Sequence, residues 1–162
     1  MVYQPISCVW EVTMGCNMQC KHCGSGCTTP LTDELTTQEA LSLCDQLKEI
    51  GIKTTTLTGG EPTTRKDLLT IMKRLRENGI IPNVITNGWL LDETMVDQLI
   101  EAGIGTLAIS LDGLEENHDY MRKKGSFKRI IQLLSMLRNK DITSAVVTTI
   151  NKSNLNELGE MY

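Results

Sequence analysis

Apolar positions along the chain keep two different periods, and the two take turns. Short runs rich in β-branched residues read as strands: "ISCVWEVT" (6–13), "KTTTLT" (53–58), "IPNVIT" (81–86), "TLAISL" (106–111) and "TSAVVTTI" (143–150). Between them the spacing becomes helical. "TTQEALSLCDQLKEIG" sets Ala40, Leu43, Leu47 and Ile50 on one face and stops at Gly51, and "RKDLLTIMKRLRENG" does the same with Leu68, Met72 and Leu75 before Gly79. Asp92 stands where an N-cap belongs ahead of "ETMVDQLIEAG", "SFKRIIQLLSMLRNK" gives a further helix, and "NLNELGEMY" opens another.

Strands that alternate with helices specify parallel βαβ units with right-handed crossovers, an α/β fold. An open doubly wound sheet and a segment of a barrel both satisfy the pattern. Five strands with a last helix just begun suit a (βα) barrel cut short, in one domain over residues 1–162 that no linker or change of composition divides. The unusual residues all follow strands. Three cysteines come after the first, "GGEP" (59–62) after the second, "TNG" (86–88) at the end of the third, "SLDG" (110–113) at the end of the fourth and Asn151 after the fifth. In a parallel sheet those ends share one rim, where such folds bind ligands, so the five loops are expected to build a single site. "GIGTLA" (103–108) fits a dinucleotide-binding pattern by its letters alone, because it leaves a helix and enters a strand, the reverse of the order such a loop needs.

With 40% apolar and 22% charged residues the chain has the composition of an ordinary globular domain. A net charge of −4 and only 4% aromatics argue against nucleic acid as a partner. No apolar run approaches the roughly 20 residues that span a bilayer, so no membrane association is expected. The start, "MVYQPISCVWEV", lacks the basic and apolar regions of a secretory signal, and a cytoplasmic location is expected. Six cysteines in such a chain point to metal or redox chemistry ahead of disulfides.

"CNMQCKHC" (16–23) concentrates Cys16, Cys20 and Cys23 on one loop. Thiolates select zinc, copper(I) or iron–sulfur clusters. A structural zinc site wants four protein ligands, which Cys27 and His22 complete on paper. Three cysteines on an irregular loop can instead hold three irons of a [4Fe–4S] cluster and leave the fourth open to a substrate or cofactor. With Cys27 on a flexible turn as fourth ligand, the same cluster would suit simple electron transfer. Cys8 in the first strand and Cys44 in the first helix read as small buried apolar residues.

C-x3-C-x2-C after a first strand, "TGGEP" after the second, "TNG" after the third and "ISLDG" at the fourth, followed by "HDYMRKKGSF", resembles the radical S-adenosylmethionine (SAM) superfamily. The style of the motifs is similar to its SPASM-type peptide and sulfatase maturases. The resemblance implies a partial TIM-type barrel, with about five of six βα units present and the chain incomplete on its C-terminal side. It implies that Cys16, Cys20 and Cys23 ligate a [4Fe–4S] cluster whose open iron is chelated by the amino and carboxylate groups of SAM. Reduction would then cleave SAM to methionine and a 5′-deoxyadenosyl radical, which takes hydrogen from a substrate, here expected to be a peptide or small biosynthetic precursor. Implied partners are an electron donor such as flavodoxin or ferredoxin and a missing C-terminal region or partner chain, and weak or no turnover is expected of these 162 residues in isolation.

Roles for single residues follow from the resemblance. The turn Gly59, Gly60 and Glu61 would meet the SAM ammonium, His22 the adenine, Ser110 and Asp112 the ribose and carboxylate. Arg122 would bind the SAM carboxylate, which a guanidinium fork suits. Thr86, Asn87 and Asn151 are further pocket residues, whereas His118 and Asp119 are expected to brace their loop. An iron–sulfur electron carrier and a non-catalytic scaffold are the alternatives.

Overall fold

The computed structural model describes residues 4–161; residues 1–3, where the N-terminal stretch begins, and Tyr162, the end of the last expected helix, lie outside them. The strands are β1 (Ser7–Thr13), β2 (Thr54–Gly59), β3 (Ile81–Thr86), β4 (Thr106–Ser110) and β5 (Thr143–Val147). The helices are α1 (Thr37–Glu49), α2 (Leu68–Glu77), α3 (Glu93–Glu101), α4 (Glu115–Met121), α5 (Ser126–Leu137) and α6 (Leu158–Met161), with 3₁₀ turns at Pro62–Thr64 and Leu155–Glu157.

Every pairing is parallel, and the sheet order β1-β2-β3-β4-β5 follows the chain. This order decides between the two candidate folds. A doubly wound sheet reverses direction at a switch point, whereas successive right-handed crossovers without reversal put the helices on one side and curl the sheet into a barrel arc. Leu57, Val84, Leu107 and Ile109 pack from the strands against Cys44, Ile71, Met72, Leu99 and Ile130 of the helices. The opposite face carries Val9, Thr56 and Asn83 in one register row and Ile85, Ala108 and Ala145 in another. At its edges Val9 is 70% and Val147 40% exposed, so the barrel interior is open to the side.

Local chemistry sets the element ends. Thr36 and Glu39 form a capping box on α1, and the Asp92 carboxylate accepts from Met95 N–H at 2.8 Å, as expected for the start of α3. Gly51 and Gly79 end α1 and α2 with φ of +87° and +75°. Some expectations are corrected. Helix α2 begins at Leu68, not at 65, because the Pro62–Thr64 turn leaves Arg65 extended. Strand β5 stops at Val147 because Thr149 N–H turns to the Asp112 carboxylate. The segment before α5, read as a loop, contains α4. Ile50 caps α1 and is 55% exposed, and Cys44 is buried on that helix's inner face, as a small apolar residue should be. Cys8 is half-buried, its thiol 3.3 Å from Thr55 Oγ1.

Candidate functional site

The loop between β1 and α1 carries the cysteines, and two residues not singled out from the sequence hold it. Glu34 Oε1 accepts from Thr13 Oγ1 (3.1 Å), Met14 N–H (2.7 Å) and Leu31 N–H (3.0 Å), folding the loop back on its own base. Arg65 donates to the carbonyls of Val12 (2.7 Å) and Leu35 (2.8 Å), clamping the two ends together. Burial pushes the Glu34 carboxyl up, but the Met14 and Leu31 N–H groups and the Thr13 hydroxyl outweigh it and hold the group below the usual carboxylate range.

The turn after β2 lies directly on that loop. Gly60 N–H donates to Thr13 O at 2.7 Å and Glu61 N–H to Gly15 O at 2.8 Å. A Cβ at Gly59 would come within 2.2 Å of Thr13 O, and one at Gly60 within 2.3 Å of Gly15 O, while the Gly59 φ of +134° itself favours glycine. These glycines therefore serve a close approach of two backbone segments. Glu61 is 1% exposed. Its Oε1 accepts from Thr63 N–H (3.1 Å), Thr63 Oγ1 (2.6 Å) and Thr86 Oγ1 (2.7 Å), and its Oε2 from Asn87 N–H (2.7 Å). Asn87 Nδ2 then reaches Asn17 Oδ1 in the cysteine loop at 2.7 Å, closing a circuit through three strand ends.

Asp112 organises the far wall. Its Oδ2 lies 2.6 Å from Arg122 Nε and 3.2 Å from His22 Nε2, and its Oδ1 accepts from Thr149 N–H at 2.9 Å. Burial raises its carboxyl pKa, but the Arg122 hydrogen bond and charge, Thr149 N–H and His22 together keep it low. His118, fully buried, accepts from Asp112 N–H at Nδ1 (3.1 Å) and has its pKa lowered to about 4, first by burial and then by Arg122. Asp119 accepts from Gly125 and Phe127 N–H groups and so braces the start of α5. Asn151 forms a local turn with Ser153 and Asn154, away from the cavity.

One cavity of about 260 Å³ collects nearly all the expected residues. Cys16, Cys20, Cys23, His22, Gly59, Gly60, Glu61, Thr86, Asn87, Ser110 and Arg122 line it with Thr58 of the TGGEP motif, together with Met18, Gly24, Ile85 and Thr149, which the sequence did not mark. Asp112 and Asn151 are not among its walls. Cys27 is buried, its sulfur 3.9 Å from Met14 Sδ, and it lines an adjoining cleft with Cys20 and Cys23. A larger groove of about 550 Å³ borders the loop, where Arg65 is engaged by Asp67 and the Val12 carbonyl and Glu34 by Thr13 and backbone N–H groups.

The thiols differ in how readily they ionise. The N–H groups of Cys27, Ser25 and Gly26, with the Cys27 thiol, lower the pKa of the exposed Cys23 thiol. Burial pushes Cys16 and Cys20 up, opposed by Met18 N–H at Cys16 and by the Arg122 charge at Cys20. Three thiols spaced around one wall, with backbone N–H groups aimed at two of them and Cys27 beside Cys23 but off that wall, fit a cubane that spreads its ligands over separate irons. They do not converge as a zinc ion requires; among the described residues no three His, Cys, Asp or Glu side chains do, and His22 Nε2 is engaged by Asp112. His22 Nδ1, buried without a hydrogen-bond partner among the described residues, leaves a polar ring edge for a ligand.

The family profile described as "Radical SAM superfamily" matches residues 10–162. The chain belongs to the radical SAM superfamily. The AdoMet-dependent heme synthase of Methanosarcina barkeri is 36% identical over 165 residues, covering 100% of this chain and 47% of that protein. Sporulation killing factor maturation protein SkfB of Bacillus subtilis is 32% identical over 163 residues, covering 98% of this chain and 39% of its own length. Streptococcus suis SuiB, solved bound to S-adenosylmethionine, superposes with a TM-score of 0.85 at 20% identity over 97% of this chain and 37% of that one. The same protein bound to precursor peptide SuiA gives 0.80 at 21% identity over 96% and 36%. These likenesses agree with the partial barrel, and the radical SAM chain spans less than half the length of each relative. As a radical SAM enzyme domain it takes a [4Fe–4S] cluster and SAM as cofactors. No described helix is long and apolar enough to cross a membrane.

Proposed function

We propose that residues 1–162 form the core of a cytoplasmic radical SAM enzyme acting on a peptide or other biosynthetic precursor, with Cys16, Cys20 and Cys23 as the cluster ligands. What carries the reading is the 260 Å³ cavity, which joins those three thiols to the ends of four strands while Cys27 lies outside it. The chemistry that cluster and SAM supply when bound is reductive cleavage of the sulfonium to methionine and a 5′-deoxyadenosyl radical, which abstracts hydrogen from the substrate.

The chain's own residues bind and orient. Cys23, with its lowered pKa, gives a thiolate most readily, and Arg122 lends positive charge beside Cys20 as ligand charge accumulates. The Gly59–Glu61 turn presents main chain to the SAM ammonium, held rigid by the bonds Glu61 makes to Thr63, Thr86 and Asn87. Arg122 is held by Asp112 at Nε and offers the rest of its fork to the SAM carboxylate. His22 borders the adenine, and Ser110 with Thr149 the ribose. Met18 and Ile85 give the cavity its apolar wall against water. The names of SkfB and of the SuiA-bound SuiB favour a peptide substrate, and the heme synthase favours a small precursor. An electron donor such as flavodoxin or ferredoxin, and further chain or a partner beyond the open sheet edge at β5, complete the proposal.

Anaerobic cluster reconstitution followed by electron paramagnetic resonance tests it. Wild type and Cys27→Ala should both hold a cluster whose signal changes on adding SAM, and alanine at Cys16, Cys20 or Cys23 should each abolish it. Loss of the cluster in Cys27→Ala would make the chain an electron carrier. Intact SAM after incubation of the full-length protein with a strong reductant would make it a scaffold.

A further inference from the structure

We propose that Asp112 is a positioning residue that sets the guanidinium of Arg122 and the imidazole of His22 at the cofactor cavity, and is not itself a ligand of SAM. The proposal rests on the SAM-binding role given to the cavity above. The resemblance places Asp112 at the SAM ribose and carboxylate, but in the structure it stands behind the cavity wall. Asp112 is 0% exposed and forms no part of the cavity wall, while His22 and Arg122 stand on that wall in front of it. Both carboxylate oxygens are engaged: Oδ2 with Arg122 Nε at 2.6 Å and His22 Nε2 at 3.2 Å, Oδ1 with Thr149 N–H at 2.9 Å. A bare carboxylate facing the carboxylate of SAM would also repel it, whereas one placed behind an arginine fixes that cation toward it.

The anchoring of Asp112 shows why it can impose a geometry. Its own N–H donates to His118 Nδ1 at 3.1 Å and its carbonyl accepts from Asn154 Nδ2 at 2.6 Å, so backbone and side chain are both fixed. Arg122 sits at the C-terminal end of α4, and its Nη1 approaches Cys20 Sγ at 4.0 Å. His22 immediately precedes Cys23. One buried carboxylate thus ties two cavity-wall side chains, from different elements, to the segment after β5, in the manner of outer partners that orient metal-site residues.

Asp112→Asn and Arg122→Gln, separately and combined, test the idea in the full-length protein reconstituted with its cluster. The readouts are iron content, cluster absorption and SAM affinity by calorimetry. Asp112→Asn should keep the cluster and weaken SAM binding roughly 10- to 100-fold, in the range typical for loss of such an outer partner. Added to Arg122→Gln it should weaken binding further, but by clearly less than it does alone, because part of its effect passes through Arg122 and only the part through His22 remains. Unchanged affinity in Asp112→Asn, or an equal loss with and without Arg122, overturns the proposal. Should Asp112→Asn fail to fold, Arg122→Lys removes the Nε contact from the other side while keeping the charge, and wild-type affinity there overturns it as well. A wild-type protein that holds its cluster but binds no SAM sinks the underlying cofactor reading together with this one, and is told apart by failing before any substitution is made.

Discussion

Thr86 Oγ1 donates to Glu61 Oε1 across 2.7 Å, and this single contact joins the turn after β2 to the end of β3. Every partner of the Glu61 carboxylate is a donor, and two of them, Thr63 N–H and Asn87 N–H, are backbone groups that cannot turn round. In Glu61→Gln the amide NH₂ must therefore face at least one N–H. We expect a loss of about 3 kcal/mol, near 6–12 °C in Tm for a chain of this size. Thr86→Val removes one hydroxyl and strands Gly88 N–H, and should cost about 1–2 kcal/mol. Thermal unfolding of the apoprotein checks the order; a Gln variant as stable as wild type would contradict the all-donor geometry.

Gly60 gives a sharper steric test. Its added Cβ would stand 2.3 Å from Gly15 O and 2.9 Å from Met14 O, both backbone atoms that cannot swing aside. Gly60→Ala should therefore push the β2 turn off the cysteine loop and cost at least about 3 kcal/mol. Gly24→Ala, on the same loop with nothing within 4 Å of the new methyl, should stay within about 0.5 kcal/mol of wild type. Equal melting temperatures for the two variants would show that the turn does not rest on the loop.

Cysteine reactivity in the apoprotein should follow the environments of the thiols. Cys23 is exposed and has its pKa lowered by converging N–H groups, so it carries the largest thiolate fraction near neutral pH. Cys16 and Cys20 are partly buried with raised values, and Cys44 is fully buried and pushed to about 11. Limiting iodoacetamide at neutral pH, read by peptide mass spectrometry, should label Cys23 first and Cys44 last. Labelling of Cys16 or Cys20 ahead of Cys23 would contradict the nest of N–H groups.

The repeating strand and helix pattern made the α/β class legible from the sequence, because period is a local property of the residues. Strand order is not local, and only the pairing of β1 through β5 separates a barrel arc from a doubly wound sheet. At the site, Cys16, Gly59, Thr86 and Ser110 were readable because motif residues at successive strand ends must share a rim. Glu34 and Arg65 were not, since nothing in "TDELTT" or "PTTRKD" signals a carboxylate or guanidinium reaching across the fold to backbone groups. Asp112 was picked out by its motif, yet its distance behind the wall depends on Arg122 and Thr149 arriving from α4 and from beyond β5, which no spacing encodes. Thr149 joined the cavity for the same reason.

His118 predicts how stability responds to acid. Buried between Asp112, Asp119, Arg122, His22 and Phe127, it stays neutral in the fold because burial and the Arg122 charge lower its pKa to about 4, and only the neutral ring can accept the Asp112 N–H at Nδ1. In the unfolded chain it titrates near 6.5, so between the two values the unfolded state binds the proton and the folded state does not. Stability from this group is thus complete above about pH 6.5 and is lost as pH falls toward 4, by about 3 kcal/mol in all. The depressed carboxylates Asp112 and Asp119 begin to give up their contributions as pH falls through the ordinary carboxylate value and finish below it, so most of their effect lies at more acid pH than that of His118. His118→Asn keeps an acceptor for the Asp112 amide without titrating, so its Tm should start lower at pH 7 but fall less between pH 6.5 and 4. Melting curves of the apoprotein across that window decide the matter: parallel declines in wild type and variant would mean that the proton goes elsewhere.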